Sequence, residues 1–366
     1  ETPEPLTYIY TLKQGIKWQD DGSELTADDV VYSFNRLMDP ASQASYGGAY
    51  RDNIASVEAL DPYTVKFVLK QPWPVFVSMT ASTDTWVINQ KSVEHEGWGT
   101  TWWNGTGAFR VTEWVQGDHV TLERVDTFRE EGMPYLDKII YKVIPDESTQ
   151  LANLETGQID VIQEPLYSDL ERLAQDPRFK VITRDSNSET LIQLNTARPP
   201  FDDKRVRQAF SMGIDRQEII DSVFYGYGDV AGDPFPPNHW AHDASIQVPY
   251  DPEGAKALLE EAGYGPDNPL EFVLGTYAIS QYQDQAVLIQ SQLSRIGVKV
   301  NIQPMENVAL LGEVRGPRTD WNVDAALMVH HAGNHTGVPL EYPEGTSLAL
   351  VGTTVEYFGK PAHAAA

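Results

Sequence analysis

At 366 residues the chain exceeds one ordinary domain and is long enough to bury sizeable cores. Its 41% hydrophobic and 22% charged content excludes a disordered polypeptide, and no apolar run reaches the roughly 18 residues needed to span a bilayer as a helix. A net charge of −26 argues against nucleic acid or an anionic membrane as partner, because both reward basic patches, and the absence of cysteine removes disulfides, thiolate metal sites and a cysteine nucleophile.

Thr7–Leu12 reads as a β-prone run, and Asp21-Gly22 as a turn. Thr26 with Asp29 three residues on marks a helix start; Val30, Phe34, Leu37 and Met38 form its buried stripe and Pro40 ends it. Residues 41–103 are rich in aromatics, among them Tyr46, Tyr50, Trp73, Trp86, Trp98, Trp102 and Trp103. Val65, Phe67 and Leu69 alternate there as a half-buried strand. Gly97 to Gly107 reads as a linker, after which Gly105-Thr-Gly-Ala-Phe-Arg-Val opens a new strand. Val120, Leu122 and Ile139–Val143 are strand-like. Glu147 to Glu155 is a helix with Leu151 and Leu154 buried and Gly157 as its C-cap, and Ile159-Asp-Val-Ile is a short strand.

Leu191, Ile192 and Leu194 sit in a β-prone run that Pro199–Pro200 stop. Asp202 or Asp203 can accept the free N–H groups of a following helix, whose stripe is Val206, Ala209, Phe210 and Ile214. Asp215 with Glu218 resembles a capping box that restarts a helix. Pro252 to Ala262 is a helix capped by Asp251 and ended by Gly263. Leu270–Leu274 is a strand. Ser280 to Ile296 is a longer helix, with Ala286, Ile289, Leu293 and Ile296 on one face, and Val298, Val300 and Ile302 alternate as the next strand. This alternation implies βαβ units and a mostly parallel sheet.

Two separated segments carry a resemblance. LNTARPPFDDKRVRQAFSMGIDR (Leu194 to Arg216) and GIKWQDDGSELTADDVVYS (Gly15 to Ser33) resemble the two strongest signatures of the family 5 extracellular solute-binding proteins, the dipeptide-, oligopeptide- and nickel-binding components of ABC importers. Gly105-Thr-Gly-Ala-Phe and LETGQID (Leu154 to Asp160) are similar to two further family segments. The resemblance runs through Asn322. It implies an α/β fold of the periplasmic-binding-protein type II-like kind, two lobes closing on ligand by hinge motion. Residues 1–103 would form a smaller lobe, 104–190 part of a first large lobe and 191–322 part of a second, incomplete at both ends. The implied function is that of a substrate-binding component of an ABC importer, with an oligopeptide or dipeptide as ligand, ABC permease membrane subunits as partners, and nickel or a glycoside as less favoured cargo. Such a protein is a monomer without catalysis or cofactor. It works in the periplasm or as a cell-surface lipoprotein, so the resemblance implies a signal segment outside this chain.

A peptide cleft needs aromatic walls, backbone groups and charges for the termini. In the resembled family a tyrosine after the first lobe helix reaches the ligand; Tyr46 or Tyr50 is nearest to that place. Trp86 is a second candidate. Tyr277 and Tyr282 follow a strand end, where open α/β folds place ligands. For each of them, packing in a core is the competing reading.

Residues 323–366 instead resemble M20-family metallopeptidases and amidohydrolases, through DAALMVH and VEYFGKPAHAAA. That resemblance implies a short α+β C-terminal fragment joined near Asn322, with His330 at a metal-ligand position and His363 at the lid histidine. The other motifs of such a dinuclear site are not in the sequence, so a zinc-dependent peptidase or aminoacylase is the alternative reading and no metal is expected. The join also falls where the solute-binding family carries its carboxylate for the peptide amino terminus. An ammonium buried without a partner costs several kcal/mol, so weak or no peptide binding is expected.

Overall fold

The computed structural model describes residues 4–357, except 43, 45–46, 231, 233–241, 316 and 332–346; for 184–188, 330–331 and 347–357 it describes the backbone alone. The chain divides into two compact units, one up to Asp146 and the other from Glu147 onward.

The first unit contains β1 (Thr7–Thr11), α1 (Ala27–Met38), α2 (Gly47–Asn53), β2 (Ile54–Asp61), β3 (Thr64–Leu69), the one-turn helices α3 (Phe76–Met79) and α4 (Gln90–Val93), β4 (Phe109–Val115), β5 (His119–Arg124) and β6 (Lys138–Lys142). Its strands form two antiparallel three-stranded sheets, ordered β1-β3-β2 and β4-β5-β6. The start of α1 is the expected one: the Asp29 carboxylate accepts the Thr26 amide at 2.9 Å. Val30, Phe34 and Leu37 then bury against Val65, Phe67 and Leu69, the inward face of β3. Phe67 and Phe76 pack edge-on at 5.3 Å in the same core.

The second unit contains α5 (Glu147–Thr156), α6 (Tyr167–Gln175), β7 (Thr183–Leu194), α7 (Lys204–Met212), α8 (Arg216–Val223), α9 (Pro252–Glu261), β8 (Glu271–Tyr277), α10 (Ser280–Ser294), β9 (Lys299–Met305), α11 (Asn307–Arg315), β10 (Ala325–His331) and β11 (Ser347–Tyr357). One five-stranded sheet runs β11-β7-β10-β8-β9. Ile192, Leu194, Phe272, Leu274, Ala325 and Leu327 on one of its faces meet Phe210, Ile219, Ala286, Ile289 and Leu293 from the helices. Phe201, Phe210 and Phe272 make edge contacts of 5.1 to 5.7 Å at the centre. Each such ring contributes on the order of 2 kcal/mol of burial.

The sheet is less parallel than expected. β8 pairs in parallel with β9 and β10, but β7 is antiparallel to both β10 and β11. The connection from β7 to β8 carries three helices rather than one, which frees the chain to return in either direction. Ile159–Ile162 is not a strand; it runs as irregular chain with Ile162 buried.

The Leu194–Arg216 stretch forms as read, with Asp203 capping α7 through the Arg205 amide at 2.8 Å. Its polar residues have a further role. The Asn195 amide side chain donates to the Arg318 carbonyl (2.9 Å), and the Arg198 guanidinium donates to the carbonyls of Trp321 (2.8 Å) and Val323 (3.1 Å) and to the Asp324 carboxylate (3.0 Å). Asp324 also accepts the Val273 amide at 2.9 Å. β10 follows at once and lies between β7 and β8. The expected separate fragment from residue 323 is therefore corrected: its first strand is an inner strand of the sheet that the signature stretch supports.

Candidate functional site

Tyr277 is the last residue of β8, and Tyr282 lies in the first turn of α10. Parallel β8 and β9 end together here, at Tyr277 and Met305, at the carboxyl edge of the sheet where open α/β folds place ligands. The two rings meet edge-to-face at 5.0 Å and 79°. The Thr276 hydroxyl donates to the Tyr282 carbonyl at 3.4 Å, and the Ala278 amide to the Met305 carbonyl at 2.9 Å, so the ends of β8 and β9 and the start of α10 hold one another. Tyr277 is only 4% exposed and packs on Leu310 and Ala326; Tyr282 is half-buried.

Burial pushes both phenols upward, so both stay protonated. After burial, Tyr282 is raised further by Tyr277, by the Glu164 carboxylate and by Tyr167, while Arg315 acts downward on Tyr277. The corner thus holds aromatic faces, phenol hydroxyls and a carboxylate, groups that recognise a peptide-like solute bearing an amine.

The sequence held no signal for Glu164 or Tyr167. Glu164 stands at φ 54°, a left-handed conformation unusual for a non-glycine residue, and nothing in Gln163-Glu-Pro announces it. Tyr167 opens α6 and packs edge-on to Phe224 at 5.2 Å.

Tyr50 and Trp86 belong to the first unit. Tyr50 is a correction. It is fully buried in the first unit's core, with Phe34 and Trp73 against its ring, and its hydroxyl donates to the Met79 carbonyl and meets the Ser82 hydroxyl, each at 3.0 Å. It presents no surface to a ligand. Trp86 is 74% exposed. Thr85, donating to the Thr80 and Ser82 carbonyls, and Ile88, donating to Ser33, anchor the chain on either side of it and turn its indole outward. Tyr46 and His363 lie outside the described residues. His330 stands in β10 opposite Glu189 of β7, with only its backbone described. Among the described residues no group of three His, Asp or Glu residues is placed to hold a metal ion. Asp324, the carboxylate nearest the place expected for an ammonium anchor, is occupied by Arg198 and the Val273 amide.

Residues 1–343 match the bacterial extracellular solute-binding proteins, family 5 (middle region). The chain belongs to that family. The match runs across the expected join near Asn322, and the M20-like reading of residues 323–366, with its zinc-peptidase alternative, finds no support in any comparison. The glutathione-binding protein GsiB of Salmonella paratyphi A is 33% identical over 313 residues, 85% of this chain and 60% of the relative; GsiB of Escherichia coli K12 is 31% identical over 312 residues, with the same shares. The chain thus spans 60% of the length of these curated relatives. Among solved structures it is similar to the oligopeptide-binding protein AppA of Bacillus subtilis in complex with a nonapeptide, with a TM-score of 0.83 and 26% identity over 99% of this chain and 84% of that one. DppA of Helicobacter pylori in complex with the peptide STSA gives a TM-score of 0.79 and 26% identity, over 90% and 67% of the two chains. The fold is the α/β fold of these periplasmic binding proteins.

Proposed function

We propose that this family 5 chain is the ligand-binding body of the substrate-binding component of an ABC importer for short peptides. The observation that carries the reading is the family match through residue 343, together with peptide-bound and glutathione-binding relatives, glutathione itself being a tripeptide. The expectation of weak or no binding rests on a missing carboxylate anchor near Asn322; the family match runs across that point. Tyr282, backed by the buried Tyr277, contributes an aromatic and hydroxyl wall and Glu164 a partner for the ligand amine; Trp86, on the first unit, is a separate candidate as an exposed ring. The role is binding rather than catalysis. It is exercised as a monomer outside the cytoplasm, in the periplasm or tethered to the cell surface as a lipoprotein, with delivery to permease subunits. The lobe boundaries at 103/104 and 190/191 belong to the same proposal; the one at 322/323 lapses, because β10 is an inner strand of the second unit's sheet.

Calorimetry of the whole chain with glutathione and with a mixed di- to pentapeptide library tests it. Saturable binding is expected, weakened about fivefold by Tyr282→Ala, the effect of losing one aromatic contact of roughly 1 kcal/mol. A cooperatively folded chain that takes neither ligand would refute the proposal.

A further inference from the structure

The first unit holds a cavity of about 190 Å³ between the β1–α1 connection and the β5–β6 connection. Ile16, Lys17, Trp18, Thr127, Phe128 and Arg129 are among its walls, and no Asp or Glu lines it. Two cations facing one small space are unusual in a chain of net charge −26.

The walls are fixed. Gln19 donates its side-chain amide to the carbonyls of Gly107 (2.9 Å) and Phe109 (3.0 Å), its own backbone amide bonds to the Gly105 carbonyl (3.0 Å), and Val125 donates to Ala108 (2.9 Å). The Arg129 guanidinium lies over the Phe128 ring at 4.6 Å and gives one nitrogen to the Thr106 carbonyl at 3.0 Å. That spends one donor and holds the rest in place. Its nearest carboxylate, Glu130, is at 4.0 Å. Lys17 makes no ion pair among the described residues. Of the neighbouring acids, Glu24 stands opposite Lys17 in an antiparallel bridge and its carboxylate accepts the Gly15 amide, Asp21 accepts the Ser23 amide at 2.8 Å, and Asp126 pairs with Arg124 at 3.0 Å.

We propose that this cavity binds a small organic carboxylate, bridged between the Arg129 guanidinium and the Lys17 ammonium, with its carbon skeleton against Phe128 and Ile16. A planar guanidinium matches a carboxylate through paired N–H groups, and the aromatic and aliphatic walls favour an organic acid over a fully hydrated inorganic oxyanion. Because Lys17 and Arg129 belong to different connections, the bound acid clips the loop before α1 to the β4-β5-β6 sheet and stabilises the unit by mass action. The site is independent of the peptide-binding proposal.

Calorimetry of the whole chain at low salt with succinate, and separately with inorganic phosphate, tests it. Succinate is expected to bind saturably and raise the melting temperature. Lys17→Gln and Arg129→Gln should each weaken it about tenfold or more, and Lys17→Arg should retain it. Both glutamine variants should bind glutathione or peptide as the wild type does. No saturable succinate binding by the folded chain, or unchanged binding in both glutamine variants, would overturn the site. Phosphate binding as tight as that of succinate would overturn its assignment to a carboxylate.

Discussion

Tyr50 shows what a single side chain does when its hydroxyl finds partners inside a core. Burial comes first among the causes that push its phenol up to about 12, and the Ser82 hydroxyl works against it. A tyrosine raised in the native state keeps its proton while the unfolded chain loses it. Its contribution to stability is therefore complete below about pH 10 and is lost as pH rises toward about 12. Tyr50→Phe should cost about 1 to 2 kcal/mol at neutral pH, read from the urea midpoint, because the Met79 carbonyl and the Ser82 hydroxyl lose a buried partner. The same variant should flatten the alkaline fall in stability. His119 makes the complementary case at the surface. Its ring meets the Asp118 carboxylate at 2.6 Å and Glu113 at 3.1 Å, and both contacts, Asp118 first, raise its pKa above 6.5. The charged ring helps the fold below pH 6.5, and that help is lost as pH rises through the raised value. An NMR titration should put the His119 midpoint above 6.5, and Asp118→Asn should bring it back toward that figure. Neither residue's partners were legible beforehand. Tyr50 stands in an aromatic-rich run that reads equally well as a cleft wall or a core, and only the pairing with Ser82 and Met79 decides between them.

Helices and strands were the most legible parts, because their signals are local. Thr26 and Asp29, Asp203, and Asp251 with Pro252 announce starts that the structure contains. The start of α8 shows where locality ends. Asp215 accepts the Glu218 amide at 3.0 Å, as a capping box requires, but Glu218 does not reach back. Instead Gln292, in the last turn of α10, accepts the Asp215 amide at 3.1 Å and donates to the Asp215 carbonyl at 3.0 Å and the Glu218 carboxylate at 2.8 Å. A buried glutamine amid Ile289, Leu293 and Ile296 thus completes a helix start whose cap, Asp215, lies 77 residues upstream in sequence. Gln292→Leu keeps the volume and removes three hydrogen bonds. It should cost about 2 kcal/mol, since the Asp215 amide is left without its acceptor. Glu218→Gln keeps a side-chain acceptor for Gln292 and should cost distinctly less. Equal losses in the two variants would mean that the clasp acts through charge rather than through the buried amide. The β7–β10 pairing was illegible for a related reason: strand direction depends on where a connection of three helices returns, and no short-range pattern encodes that.

At the scale of the molecule, the question is whether the chain beyond Asn322 is part of the sheet or an appendage to it. The resemblance of residues 323–366 to another family made an appendage the natural reading, because a seven-residue apolar strand such as Ala325–His331 looks alike in any α/β protein. The decision lies in polar contacts that short motifs do not show. Asp324 stands at the mouth of β10. It holds Arg198, from the loop after β7, and the Val273 amide of β8, on either side of the strand it introduces. If β10 were an addition, removing that carboxylate would leave the unfolding of the sheet unmoved. Because β10 is an inner strand, Asp324→Ala should strand the Arg198 charge, leave the Val273 amide unpaired and loosen the centre of the sheet. Loss of a buried ion partner costs about 3 to 5 kcal/mol; Arg198 reaches solvent, so the expected loss is about 2 to 3 kcal/mol. Urea unfolding followed by tryptophan fluorescence reads it directly, since buried Trp321 lies three residues away. Asp324→Asn keeps an acceptor for the Val273 amide and should recover about half of the loss. A midpoint unchanged in the alanine variant would return β10 to the status of an attached segment.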